Sequence, residues 1–84
     1  MTNSVIISAT RTPLGSFQGS LSSLKSTELG SIVVAEAIKR SKVDAAELDD
    51  VIMGCVLPAG LGQNPARQAS LGAGVPKNVG AFTV

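Results

Sequence analysis

Apolar residues along this 84-residue chain change their spacing several times, and each spacing predicts a different element. Short runs rich in β-branched residues predict three strands, at Val5–Ala9, Val51–Val56 and Gly80–Val84. Helical spacing predicts one helix over Thr27–Ser41, and a proline-started segment predicts a second helix over Pro65–Gly72. Strands that alternate with helices are typical of a parallel sheet covered by helices, so the predicted fold class is α/β, in the order β-α-β-α-β.

Local signals refine the predicted helix ends. Ser26 is the predicted N-cap of the first helix. Asp44, with Glu47 three residues later, fits a capping-box pattern and predicts a short helix that ends near Asp49. Gly30 lies inside the first helix, where glycine costs about 1 kcal/mol relative to alanine. We therefore expect this helix to approach a neighbouring element closely at Gly30.

Composition narrows the class of protein. Hydrophobic residues make up 44% of the chain, mostly small aliphatics, which suit a parallel sheet buried on both faces. A net charge of +1 and only two aromatic residues, both Phe, argue against a nucleic-acid partner. The N-terminal apolar run is too short to span a membrane, so no membrane partner is expected. A cytoplasmic location is the default expectation, with a mitochondrial or peroxisomal one left open.

Candidate catalytic residues are few. The chain has no histidine, which removes the commonest general base and the commonest metal ligand. Its single cysteine, Cys55, lies among apolar residues of a predicted strand and is interpreted as a small hydrophobic residue rather than a nucleophile. Arg11, at the end of the first predicted strand, is expected to pair with a loop carbonyl or a carboxylate. No catalytic, cofactor-binding or metal-binding residue is predicted within these residues.

The glycine-rich segment Gly60–Pro65 follows a predicted strand and precedes a predicted helix, as a dinucleotide-binding turn does. Pro65 replaces the third glycine of that motif, and Gly80 and Ala81 stand where its acidic residue would be. A tight strand-to-helix turn is therefore favoured, while a weaker anion site at the start of the second helix stays open. Arg67 lies near the positive end of that helix, which suggests either a specific acceptor across an interface or a solvated side chain.

Several segments resemble the N-terminal part of thiolases. The matching segments occur in the expected order along essentially the whole chain: Ser8–Pro13, Gly15–Phe17, Leu29-Gly30, Val51–Gly54 and Gly62–Ala69. The last of these, Gly-Gln-Asn-Pro-Ala-Arg-Gln-Ala, is the most specific. The chain is similar in particular to the acetyl-CoA acetyltransferase, or acetoacetyl-CoA thiolase, type.

The resemblance implies a five-layered α/β fold of two similar halves. This chain would supply a β-α-β-α-β portion of the N-terminal domain and no complete domain. The reaction it implies joins two acetyl-CoA molecules into acetoacetyl-CoA and CoA, or cleaves 3-ketoacyl-CoA, through an acyl-cysteine. Coenzyme A thioesters would be substrates of the full-length enzyme, with no cofactor bound by this segment, and the complete enzyme would be a homodimer or homotetramer.

The resemblance also bears on individual residues. The nucleophilic cysteine would belong to an Asn-Lys-Val-Cys-like motif directly after Val84, so the 84-residue chain alone is expected to be inactive. Gln63, Asn64 and Arg67 would support the dimer face beside the active site. Two alternatives stay open: a small α/β module that binds an anion or nucleotide at the second helix, and a non-catalytic assembly fragment that docks on a partner chain.

Overall fold

A computed structural model describes residues 3–84 of the chain. Its elements, in chain order, are α1 (Ser26–Ser41), a 3₁₀ helix (Ala45–Glu47), β1 (Asp50–Met53), α2 (Pro65–Gly72) and β2 (Gly80–Thr83). The two strands form a parallel pair in which Val51 lies opposite Ala81 and Ile52 lies opposite Phe82. The predicted α/β class and parallel pairing are therefore confirmed. None of the helices in residues 3–84 is both long enough and apolar enough to span a membrane.

The predicted first strand, Val5–Ala9, is wrong for this structure. The segment has no regular secondary structure and is not part of the sheet, which contains β1 and β2. Its Ser8 attaches it to α1 instead, since Ser8 Oγ donates to the carbonyl of Ala37 over 2.8 Å. Directly after the segment, Thr10 Oγ1 donates to the carbonyl of Val33 over 2.9 Å. Because a strand requires a partner strand, a β-branched run predicts only the capacity to pair.

The strand and helix ends differ slightly from the predicted ones. The strand predicted over Val51–Val56 is β1, Asp50–Met53, and the pairing continues past it, since the N–H of Cys55 donates to the carbonyl of Val84 over 2.8 Å. The second predicted helix has the same bounds as α2.

The predicted helix caps are partly confirmed. Lys25 rather than Ser26 occupies the N-cap position of α1, and it makes no side-chain cap hydrogen bond. The side chain of Asp44 does cap the 3₁₀ helix, by accepting from the N–H of Ala46 over 3.0 Å. That helix ends at Glu47, two residues before the predicted end.

The two α-helices approach each other closely where both carry small residues. A Cβ atom built on Gly30 would lie 3.1 Å from Ala69 Cβ, and one built on Gly72 would collide with Ser31 Oγ. The same Ser31 hydroxyl lies 3.0 Å from the carbonyl oxygens of Thr27 and Ala69, so it bridges the two helices. The close approach predicted at Gly30 is therefore confirmed.

The core lies on one face of the sheet. Val51, Val75 and Val79 are buried there, and residues of α1 and of the segment after α2 pack around them. On the opposite face, Ile52 is 57% exposed and Phe82 is 46% exposed. These two residues are neighbours in the strand register, so they form a continuous apolar surface on the face that the helices leave uncovered.

The close helix contact leads to a stability prediction. Gly30→Val should lower the free energy of unfolding by about 1–3 kcal/mol, because three carbon atoms enter a contact with no spare room. Ala35→Val, on the exposed side of the same helix, is the matched control and should cost less than about 0.7 kcal/mol through helix propensity. Urea denaturation followed by circular dichroism measures both, and equal losses would contradict the close approach.

Candidate functional site

The connection from β1 to α2 bends through three residues with positive φ. Gly60 and Gly62 have φ of 78° and 79°, values that glycine adopts freely. Asn64 has φ of 43°, which is uncommon for a residue with a side chain, although asparagine tolerates this region better than most residues. The turn therefore delivers Asn64 to the N-cap position of α2 in a conformation that needs support from the surrounding structure.

The side chain of Asn64 provides that support by joining α2 to β2. Its Oδ1 accepts from the N–H of Arg67 over 3.3 Å, which caps the helix, and from the hydroxyl of Thr83 over 2.9 Å. Its Nδ2 donates to the carbonyl of Ala81 over 3.1 Å. One amide thus contacts the first turn of α2 and two residues of β2. We call the group formed by Asn64, Arg67, Gln68 and Thr83 the turn network.

The backbone N–H groups that start α2 are all used within this region. Pro65 has no N–H, and the N–H of Ala66 donates to Thr83 Oγ1 over 3.0 Å. The N–H of Arg67 donates to Asn64 Oδ1, and that of Gln68 donates to the carbonyl of Asn64. A helix N-terminus binds an anion through free N–H groups, so this one offers no donor to phosphate. The alternative of an anion-binding module therefore gains no support from α2.

Arg67 points back to its own chain. Its Nη1 donates to the carbonyl of Val79 over 2.9 Å and to that of Lys77 over 3.2 Å. Both of these acceptors lie in the loop before β2 of the same chain, and the predicted acceptor across an interface stays a prediction. A cation near the positive end of α2 is in an unfavourable position. The hydrogen bonds to the two carbonyls offset this, whereas water alone would not hold the side chain there.

The two glutamines of the segment Gly62–Ala69 differ in their roles. Gln68 Nε2 donates to the carbonyls of Leu61 and Gln63, over 2.6 and 2.9 Å, and so closes the glycine turn onto the helix. Gln63 is exposed and contributes its backbone carbonyl to this contact. Sequence reasoning missed Gln68 and Thr83. Gln68 stands one helical turn after Asn64, which was a usable local signal, whereas nothing local to Thr83 indicates its partner.

Cys55 follows β1 and is half-buried. It lines a cavity of about 60 Å³ between the starts of α1 and α2, and the other lining residues are uncharged: Ser26, Thr27, Met53, Gly54, Pro65 and Ala69. The cavity is small, and no charged side chain on its lining could activate the thiol. Within the described range 3–84, no three His, Cys, Asp or Glu residues are grouped so that they could hold a metal ion.

A larger groove of about 930 Å³ lies apart from the turn network, between residues 9–13 and α1. Arg11, on its wall, donates to the carbonyl of Thr12 over 3.1 Å, which is the loop-carbonyl partner that the sequence had suggested. Arg40 lies on the other wall and pairs with Glu36 over 2.9 Å. Arg11, Lys39 and Arg40 on the lining are exposed and Glu36 is half-buried, so the charged part of the groove is largely open to solvent.

A substitution of Arg67 can distinguish stabilisation through carbonyl hydrogen bonds from stabilisation through an ion pair. Arg67→Met should lower the free energy of unfolding by about 1–3 kcal/mol, because two carbonyls lose a charged donor. Lys77→Met removes the same charge at an exposed position and should cost less than about 0.5 kcal/mol. The loss in the arginine variant should be the same at low and high NaCl. A loss that disappears at high salt would mean that Arg67 acts through a carboxylate.

The occupied N–H groups of α2 give a second prediction. Titration of the ¹⁵N-labelled chain with inorganic phosphate should leave the amide resonances of Ala66 and Arg67 unshifted, because both donate within the chain. Thr83→Val frees the N–H of Ala66, so a phosphate-dependent shift at that amide is expected only in this variant. Saturable shifts in the unsubstituted chain would restore the anion-binding alternative.

Comparison with known proteins places the fold in a family. The family model described as "Thiolase, N-terminal domain" matches residues 4–84. The acetyl-CoA acetyltransferase of Escherichia coli is 56% identical over 84 residues, which are 100% of this chain and 21% of that protein. The acetyl-CoA acetyltransferase of Syntrophomonas wolfei is 55% identical over 80 residues, which are 95% of this chain and 20% of that protein.

A solved structure agrees with these sequence matches. The crystal structure of a thiolase from Ascaris suum in complex with coenzyme A superposes with a TM-score of 0.91 and 47% identity, over 94% of this chain and 21% of that one. The present chain thus spans about a fifth of the length of the curated relatives that it matches. A family match over 4–84, supported by half-identical relatives and a shared fold, shows that the chain belongs to the thiolase family.

Proposed function

We propose that these 84 residues act within an acyltransferase that moves an acetyl group between coenzyme A thioesters. The observation that carries the proposal is the E. coli relative, an acetyl-CoA acetyltransferase that is 56% identical along all of this chain. The Ascaris suum thiolase was crystallised with coenzyme A, which supports acyl-CoA as the substrate class. The reaction is the condensation of two acetyl-CoA molecules to acetoacetyl-CoA and CoA, or the thiolytic reverse.

The segment contributes scaffold rather than chemistry to this reaction. It contains no histidine, and Cys55 lies in a small cavity lined by uncharged residues, so no base is placed to activate its thiol. The resemblance puts the nucleophilic cysteine in a motif that follows Val84. We therefore propose that the 84 residues by themselves have no turnover and that they hold β2 where the next part of the enzyme needs it.

The exposed apolar surface fits a segment that works inside a larger assembly. Ile52, Val56, Leu57 and Phe82 are each at least 46% exposed, and Val5, Ile6 and Ile7 at least 62%. Exposed apolar patches of this kind mark surfaces that other protein covers. The proposed enzyme is a homodimer or homotetramer, with Gln63, Asn64 and Arg67 supporting the dimer face beside the active site. We propose a cytoplasmic location, by analogy with a relative from Mus musculus that is named cytosolic and is 52% identical over 79 residues.

A chimeric enzyme tests the proposal. In it, these 84 residues replace the matching residues of the E. coli acetyltransferase, and CoA-dependent cleavage of acetoacetyl-CoA is assayed. We expect activity within about tenfold of the E. coli parent, which is a barrier change of at most about 1.4 kcal/mol. The 84-residue chain alone should show no turnover.

Two controls frame that experiment. The E. coli enzyme without the replaced residues should be inactive, which shows that the segment is needed. Cys55→Ser in the chimera should change kcat less than about threefold, since a packing residue tolerates this substitution and a nucleophile does not. A folded but inactive chimera, or turnover by the 84 residues alone, would contradict the proposed function.

A further inference from the structure

We propose that Asn64 and Thr83 are a positioning pair that fixes the direction in which the polypeptide leaves β2. The inference rests on the proposed function, in which the chain continues past β2 to the nucleophile. It concerns no catalytic group. A side chain in the glycine turn holds the end of a strand that is 19 residues away in sequence.

The two edges of β2 have different hydrogen-bond partners. The N–H of Val84 donates to the carbonyl of Met53 over 2.9 Å, and the carbonyl of Val84 accepts from Cys55 over 2.8 Å, so Val84 directs both groups toward β1. Successive residues of a strand direct these groups to opposite edges. The carbonyl of Ala81 therefore points to the outer edge, where it accepts from Asn64 Nδ2. The amide of Asn64 thus takes the place of a neighbouring strand.

The hydroxyl of Thr83 makes two hydrogen bonds. It donates to Asn64 Oδ1 over 2.9 Å and accepts from the N–H of Ala66 over 3.0 Å, so it links β2 to both the turn and the helix. The end of β2 is consequently held on one edge by β1, on the other edge by Asn64, and on its helix side by the first turn of α2. A strand end held in three directions has little freedom to rotate or splay.

The backbone of Asn64 has a positive φ. Its φ of 43° is a conformation that glycine would adopt without strain, and glycine already occupies Gly60 and Gly62 in the same turn. The turn would tolerate glycine here, yet the position carries a side chain whose two polar atoms both bond β2. Asparagine at this position therefore adds two bonds to β2 that glycine could not make.

Substitutions in the chimeric enzyme test the proposal. Asn64→Gly keeps the backbone conformation and removes the amide, and Thr83→Val keeps the shape and removes the hydroxyl. Each should lower kcat by about 10- to 100-fold, because small displacements of a reacting group cost this much. KM should change by less than about twofold, since substrate binding is untouched. Thr83→Ser, which retains the hydroxyl, should restore kcat to within about threefold of the chimera.

A matched control separates positioning from general damage. Asn78→Gly changes the same residue type at an exposed position in the loop before β2, outside the turn network, and should leave kcat unchanged. Activities are expressed per folded enzyme, from the circular dichroism signal at the assay temperature. Equal losses in Thr83→Val and Thr83→Ser, or losses that vanish per folded enzyme, would overturn the positioning role.

Hydrogen–deuterium exchange supplies a readout that needs no turnover. Peptides covering residues 80–84 should exchange faster in Asn64→Gly, and the peptide containing Ala66 should exchange faster in Thr83→Val, whereas α1 should be unchanged. Unchanged exchange at residues 80–84 would overturn the inference whatever the activity. An inactive chimera with the expected exchange pattern would instead refute the proposed function alone, and an active chimera whose variants keep kcat would refute the positioning pair alone.

Discussion

The rest of the structure depends on the parallel pairing of β1 with β2. Two parallel strands cannot be joined by a tight turn, because the chain must return to the same end of the sheet before the second strand begins. Here the return is made by the glycine turn, α2 and the loop before β2. The pairing itself has four register positions, from Asp50 opposite Gly80 to Met53 opposite Thr83, which is too little to be stable alone. The helices and the turn network therefore have to hold it.

Two kinds of contact do so. Small residues bring α1 and α2 together, since Gly30 and Gly72 leave room for Ala69 and Ser31. Residues of α1 and of the segment after α2 cover the valine core on the sheet. Polar contacts then fix the connection, with Arg67 bonded to the loop before β2 and Asn64 bonded to β2 itself. The apolar contacts are non-directional, whereas the polar ones define angles and register. This division explains why the block with the most specific sequence is polar although the core is aliphatic.

The candidate site could be predicted in part. The block that contains Asn64 and Arg67 stood out in the sequence, and the structure places both residues in one network. Thr83 could not be found in the same way, because its hydroxyl meets Asn64 only when β2 lies beside the start of α2. The acceptor of Arg67 was missed for the same reason, since Val79 is 12 residues away in sequence. The pattern identified which residues matter but not which atoms they bond.

The sequence by itself determined the features that depend on near neighbours. The bounds of α2, the cap by Asp44 and the alternation of strands with helices all follow from residue spacing and from local hydrogen bonding. Only the tertiary structure decided that Val5–Ala9 is attached to α1 through the Ser8 hydroxyl and not paired as a strand, and that the first turn of α2 bonds Thr83. The local sequence pattern determines which hydrogen bonds and packing contacts a segment is able to make. Which partner it bonds depends on the register between segments that are distant in the chain, and that register is set by the packing of the whole.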